Sequence, residues 1–141
     1  MKTRTLLLLA LACGIAIMAA GAAFLIQLSR QDDGEPPVAI GAPAVIGDMR
    51  IVVESSVEGD GVLDVMVTIG GVDDPDGTSG FHLIASGQAA QPAPASDAAQ
   101  CAASTIAEQR CIVRFDVSGA EGDSRVLFYE RGDERARWVL E

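Results

Sequence analysis

The pattern of apolar and polar positions changes character once, near residue 30. Leu6 to Leu28 contains no charged residue; Lys2 and Arg4 precede it and Arg30 closes it. At a helical rise of about 1.5 Å per residue, these 23 residues cover roughly 34 Å, enough to cross a hydrocarbon core of about 30 Å with some tilt. Beyond the run the periodicity becomes that of strands. Met49, Ile51 and Val53 alternate with Arg50, Val52 and Glu54, Glu58-Gly59-Asp60-Gly61 punctuates, and Val62 to Ile69 follows, which predicts a hairpin. Phe81, Leu83 and Ala85 share one face of a further strand. Cys111, Val113, Phe115 and Val117 alternate with Ile112, Arg114 and Asp116. Val126 to Tyr129, the turn Arg131-Gly132-Asp133 and a last strand from Arg135 to Leu140 complete the pattern, with Trp138 assigned to the core. Val38 to Ile46, broken by Gly41 and Pro43, suits an irregular edge strand, and Gln88 to Gln100 has no periodicity and reads as a mobile surface loop. Short strands, frequent turn signals and no amphipathic helix after the apolar run predict an antiparallel β-sandwich of about seven strands behind a single N-terminal transmembrane helix.

The basic residues before the run and the acidic Asp32, Asp33 and Glu35 after it place the N-terminus in the cytoplasm and everything past residue 30 outside. Two other readings of the same segment stand beside this one. Leu6 to Met18 followed by Ala20-Gly21-Ala22 has the form of a cleaved secretory signal, although Phe24 to Leu28 extends the apolar character beyond that site. Ala10-Leu11-Ala12-Cys13 is a loose lipobox in which Cys13 would be acylated. Ala12, Ala16 and Ala20 recur at four-residue spacing, a small-residue stripe of the kind that lets membrane helices approach closely.

The chain divides into residues 1–30, a cytoplasmic tip and signal-anchor helix; 31–37, an acidic stalk ending in two prolines; and 38–141, an exported domain. After Arg30 there are seven arginines against twenty carboxylates, a net charge of −13. Nucleic acid is thereby excluded as a partner, since phosphate binding needs a cationic footprint, and an anionic lipid surface would repel the domain. Contact with lipid is expected through residues 6–28 alone. There is one lysine and no asparagine, a skew typical of a GC-rich bacterial genome.

Taken in order, Ile51-Val52-Val53, Val65 to Ile69, Phe81-His82-Leu83, a Pro-containing loop, Cys101, Cys111, Val113 to Val117, Val126 to Tyr129 and Trp138 resemble the exported immunoglobulin-like domains of unknown function in bacterial membrane-anchored proteins and lipoproteins. The resemblance spans residues 38–141. It implies an immunoglobulin-like sandwich and an envelope location, and carries no site residues.

Cys101 and Cys111 are the two cysteines beyond the apolar run, and in an oxidising compartment they are expected to form a disulfide. His82 is the sole histidine, too few for a zinc or copper site, and is read as an ordinary strand residue. Asp73-Asp74-Pro75-Asp76-Gly77 concentrates carboxylates. Aligning Gly77 with the EF-hand glycine puts Val72 and Leu83 at the first and last ligand positions, so the loop reads as a solvated turn. Arg131-Gly132-Asp133 is read as turn geometry. Arg125, Arg131, Arg135 and Arg137 cluster in the final hairpin, where Glu130, Asp133 and Glu134 suggest local charge pairing. With no nucleophile elbow and no phosphate loop, no catalytic residue, metal or cofactor is expected and the chain does not read as an enzyme. The expectation is a membrane-anchored accessory module that binds another membrane or envelope protein. The rival is an exported ligand- or metal-binding domain, motivated by the acidic loop.

Overall fold

A computed structural model describes residues 2–31 and 35–140, which fall into two units that meet between Pro36 and Pro37. Of the stalk expected at 31–37, residues 32–34 lie outside the described residues. In the first unit Thr3–Gln31 forms one α-helix, α1. By length and composition Thr3–Ser29 is able to cross a membrane, and none of its side chains is buried against protein. Cys13 is a free, exposed thiol on this helix.

The second unit contains eight strands: β1 (Pro43–Ile46), β2 (Met49–Gly59), β3 (Val62–Gly70), β4 (Phe81–Ala85), β5 (Gln88–Ala90), β6 (Gln109–Asp116), β7 (Arg125–Arg131) and β8 (Glu134–Leu140). They form two antiparallel four-stranded sheets, β1-β2-β3-β6 and β5-β4-β7-β8. The chain changes sheet between β3 and β4, between β5 and β6 and between β6 and β7, so that β6 returns to lie beside β3. This places β2-β3-β6 and β5-β4-β7-β8 as strands A-B-E and C′-C-F-G of an immunoglobulin sandwich, with β1 added outside β2. The core lies between the sheets. Ile51, Val53, Val65, Val67, Phe81, Leu83, Phe115, Leu127 and Trp138 are fully buried, and Phe81 meets Tyr129 edge to face with ring centroids 4.7 Å apart.

Two features depart from the sequence expectation, and both involve residues 88–100. Gln88–Ala90 is a strand because Ser86 and Gly87 adopt φ of 48° and 85°, the left-handed pair of a two-residue hairpin turn that lets β5 fold back on β4. A serine at the first turn position hid this signal. Residues 91–101 run along the free edge of β6. Ala93 N–H donates to Arg114 O at 2.7 Å, Ile112 N–H to Ala99 O at 2.9 Å and Cys101 N–H to Ile112 O at 2.9 Å. Gln100 is buried, and its side-chain carbonyl accepts from Ser96 Oγ at 2.9 Å. The segment is therefore not a mobile surface loop; it satisfies backbone groups that an edge strand would otherwise leave open.

Candidate functional site

Cys101 and Cys111 are bonded to each other, with Cα atoms 5.0 Å apart. The bridge joins the edge-covering segment to β6 within one layer. Two of the three acids in the acidic loop are engaged by the protein's own groups. Asp73 accepts from Ile106 N–H at 3.1 Å; Asp74 accepts from Asp76 N–H at 2.9 Å through one oxygen and from Arg131 Nη1 at 2.9 Å through the other. Among the described residues no group of three or more His, Cys, Asp or Glu side chains is arranged to hold a metal ion. His82 stands on β4 opposite Phe128 of β7, and its Nδ1 is buried without a hydrogen-bond partner.

The arginines of the final hairpin do not pair locally. Arg125 is only 7% exposed and forks onto Glu58 of β2, with Nε and Nη2 each 2.8 Å from a carboxylate oxygen. It also donates to the carbonyls of Gly122 and Ser124, both at 2.9 Å. A bulge between Val53 and Ser55 makes this possible. It shifts the alternation of β2 by one residue, so that Val57 faces solvent and Glu58 turns toward the second sheet. At the opposite end Arg131 joins Asp48 and Asp74, while Tyr129 donates its hydroxyl to Gly77 O at 2.8 Å. These guanidinium contacts hold the carboxyls of Glu58, Asp48 and Asp74 below the ordinary carboxylate range. Each end of the sandwich is thus latched by one arginine reaching from β7 to the other sheet. Their partners lie 67, 83 and 57 residues away in sequence, which is why local charge patterning missed them.

The outward faces of the two sheets differ in chemistry. On β1-β2-β3-β6, ion pairs cross the surface: Arg110 to Glu54 at 2.7 Å, Arg114 to Asp64 at 2.7 Å and Arg50 to Glu108 at 3.3 Å, with Thr68 Oγ1 donating to Glu54 at 2.6 Å. The Arg114 fork holds Asp64 below the usual carboxylate range. On β5-β4-β7-β8, the register aligns Ala89, Ile84, Val126 and Val139 in one row and His82, Phe128 and Arg137 in the next. No ion pair crosses this face among the described residues. Ile84, Val126 and Phe128 are partly buried, and Val139 is 50% exposed. One signal in the sequence points here: Val126-Leu127-Phe128-Tyr129 is apolar at four successive positions, so a strand must show two of them outward.

A groove of about 440 Å³ lies beside the disulfide, walled by Pro75, Pro92, Pro94, Ala102 and Ile112. Of its polar wall residues, Gln100 and Arg114 are already engaged with Ser96 and with Asp64. No orphaned polar group marks it for a ligand.

No protein-family model matches the chain, and no curated protein is similar to it in sequence. The fold is similar to three solved structures of bacterial proteins. One is the YjhA protein of Bacillus subtilis (TM-score 0.56, 12% identity, 73% of this chain and 98% of that one). Another is the YcdA protein of the same species, provisionally assigned as a lipoprotein (TM-score 0.53, 12% identity, 70% of this chain and 38% of that one). The third is MPT63, a secreted protein of Mycobacterium tuberculosis (TM-score 0.50, 14% identity, 75% of this chain and 99% of that one). At such identities the likeness is one of fold, a β-sandwich.

Proposed function

We propose that the chain is a membrane-anchored module of the bacterial envelope, whose exported immunoglobulin-like sandwich binds another membrane or envelope protein. Residues 6–28 serve as the anchor, with the N-terminus in the cytoplasm. The observation that carries the reading is the contrast between the two outer faces. One carries cross-strand ion pairs together with the exposed Val45 and Val57, whereas the other presents Ile84, Val126, Phe128 and Val139 in adjoining register rows with no ion pair among the described residues. A partly exposed apolar patch that adjoining strands bring together on one sheet face suits a docking surface. The secreted and lipoprotein-like fold neighbours support the envelope location. The metal-binding alternative loses its motivation because Asp73 and Asp74 are engaged by Ile106 N–H and Arg131.

The test has two parts. The intact mass of the mature chain, recovered from carbonate-washed membranes, should retain residue 1 or 2; a chain beginning near Ala23 would mean a cleaved signal and overturn the anchor. Affinity isolation of the full chain from solubilised membranes should recover a stoichiometric protein partner that is lost from Val126→Ser/Phe128→Ser. Equal recovery with this variant would remove the face from the reading.

A further inference from the structure

Five of the seven arginines in the exported domain are tied to carboxylates: Arg50, Arg110, Arg114, Arg125 and Arg131. Arg135 and Arg137 make no ion pair among the described residues. They are exposed, two positions apart on β8, and border the apolar row on the outer face of the second sheet. Even Glu130, directly opposite Arg135 in the register, is not paired with it. A domain with seventeen carboxylates and seven arginines has no shortage of acidic partners, so two open guanidiniums beside an apolar row constitute a pattern with a complement.

We propose that this face receives a second membrane-bound protein presenting an apolar strip flanked by at least two carboxylates, which pair with Arg135 and Arg137. This rests on the reading of the domain as a protein-binding module. Arginine is suited to the task because its planar fork meets a carboxylate through two parallel bonds. A bilayer surface fits poorly because the domain's net charge of −10 opposes anionic headgroups. The size of the face also points to a membrane-bound partner. Four strands about 4.8 Å apart and five residues of about 3.4 Å each give roughly 300 to 400 Å². That is below the roughly 800 Å² per partner of a stable interface in free solution, so the contact needs the high effective concentration that two anchors in one bilayer provide.

The test uses the full chain in the membranes of the cells that produce it. Benzoylphenylalanine is placed singly at Phe128 or Val139 on this face and at Val52 or Met66 on the other, and adducts formed by light are mapped by mass spectrometry. Adducts to one other membrane protein are expected from positions 128 and 139 only, in a segment containing at least two Asp or Glu. Arg135→Glu/Arg137→Glu should lower the adduct yield at least tenfold, and Arg135→Lys/Arg137→Lys should retain a measurable share of it. An intact Cys101–Cys111 bridge and an unchanged melting temperature establish that the charge-reversed chain is folded. An adduct that forms equally well after charge reversal, or that maps to a segment without acidic residues, overturns the arginine complementarity and leaves protein binding standing. Adducts only between copies of this chain, or only to lipid, overturn the proposed partner. No face-specific adduct to any protein overturns the binding module itself.

Discussion

Trp138 allows two opposing contributions to stability to be separated by two substitutions. Its side chain is completely buried on β8 opposite Leu127, and its indole Nε1 has no hydrogen-bond partner. Trp138→Ala removes most of a large aromatic from between the sheets and leaves a cavity, a change that costs about 3 to 5 kcal/mol. For a domain of 105 residues, that is a large share of a stability of about 5 to 15 kcal/mol, and the melting temperature should fall by about 15 °C or more. Trp138→Phe removes only about 40 Å³, and the cavity contribution at about 24 cal/mol per Å³ together with the lost transfer free energy of the few removed atoms costs roughly 1 to 2 kcal/mol. It also removes an unpaired buried N–H whose desolvation costs about 1 to 3 kcal/mol. The two terms offset, and Trp138→Phe should lie within about 1 kcal/mol of the native protein or be more stable. Urea and thermal unfolding of the three proteins, followed by circular dichroism, make the comparison without relying on tryptophan emission. A Trp138→Phe loss as large as that of Trp138→Ala would refute the reasoning, because packing alone would then account for the site.

Removing the disulfide with Cys101→Ala/Cys111→Ala should cost no more than about 3 kcal/mol, the chain-entropy value for so short a loop, and leave the sandwich folded by circular dichroism; Cys101→Ala alone should give covalent dimers on a non-reducing gel. Acid should destabilise the domain. The carboxyls of Asp48, Glu58, Asp64 and Asp74 sit below their ordinary values of 3.8 to 4.5, so the stability they lend is complete above those values and is lost as pH falls through them toward the lower native ones. Urea midpoints measured from pH 6 down to pH 2.5 should therefore be flat above about pH 5 and fall below it; a midpoint that rises on acidification would reverse the sign. Gly80→Ala should disrupt the β4–β7 pairing, since a Cβ there would collide with the Glu130 backbone carbonyl, which has little freedom to yield; an unchanged melting temperature would show that the strand entry can shift.

The single N-terminal apolar helix, the two-fold period of most strands and the burial of Trp138 were legible because they depend on local pattern: side chains alternate across a sheet and an uncharged run of spanning length needs no tertiary information. The pairing of Cys101 with Cys111 was legible for a related reason, two thiols ten residues apart with no competitor beyond the apolar run. The role of residues 88–101 was not legible, because what they do is made by backbone groups on the edge of β6, and alanine, proline and glutamine give no side-chain sign of it. The partners of Arg125 and Arg131 were not legible either. A one-residue bulge in β2 turns Glu58 inward, and the Greek-key path carries Asp48 and Asp74 to the other end of β7, so those pairs exist only once the two sheets are stacked. The same holds for the candidate face. Ile84, Val126, Phe128 and Val139 lie on three strands as much as 55 residues apart, and only sheet register, which depends on long-range hydrogen bonding, brings them into one patch beside Arg135 and Arg137.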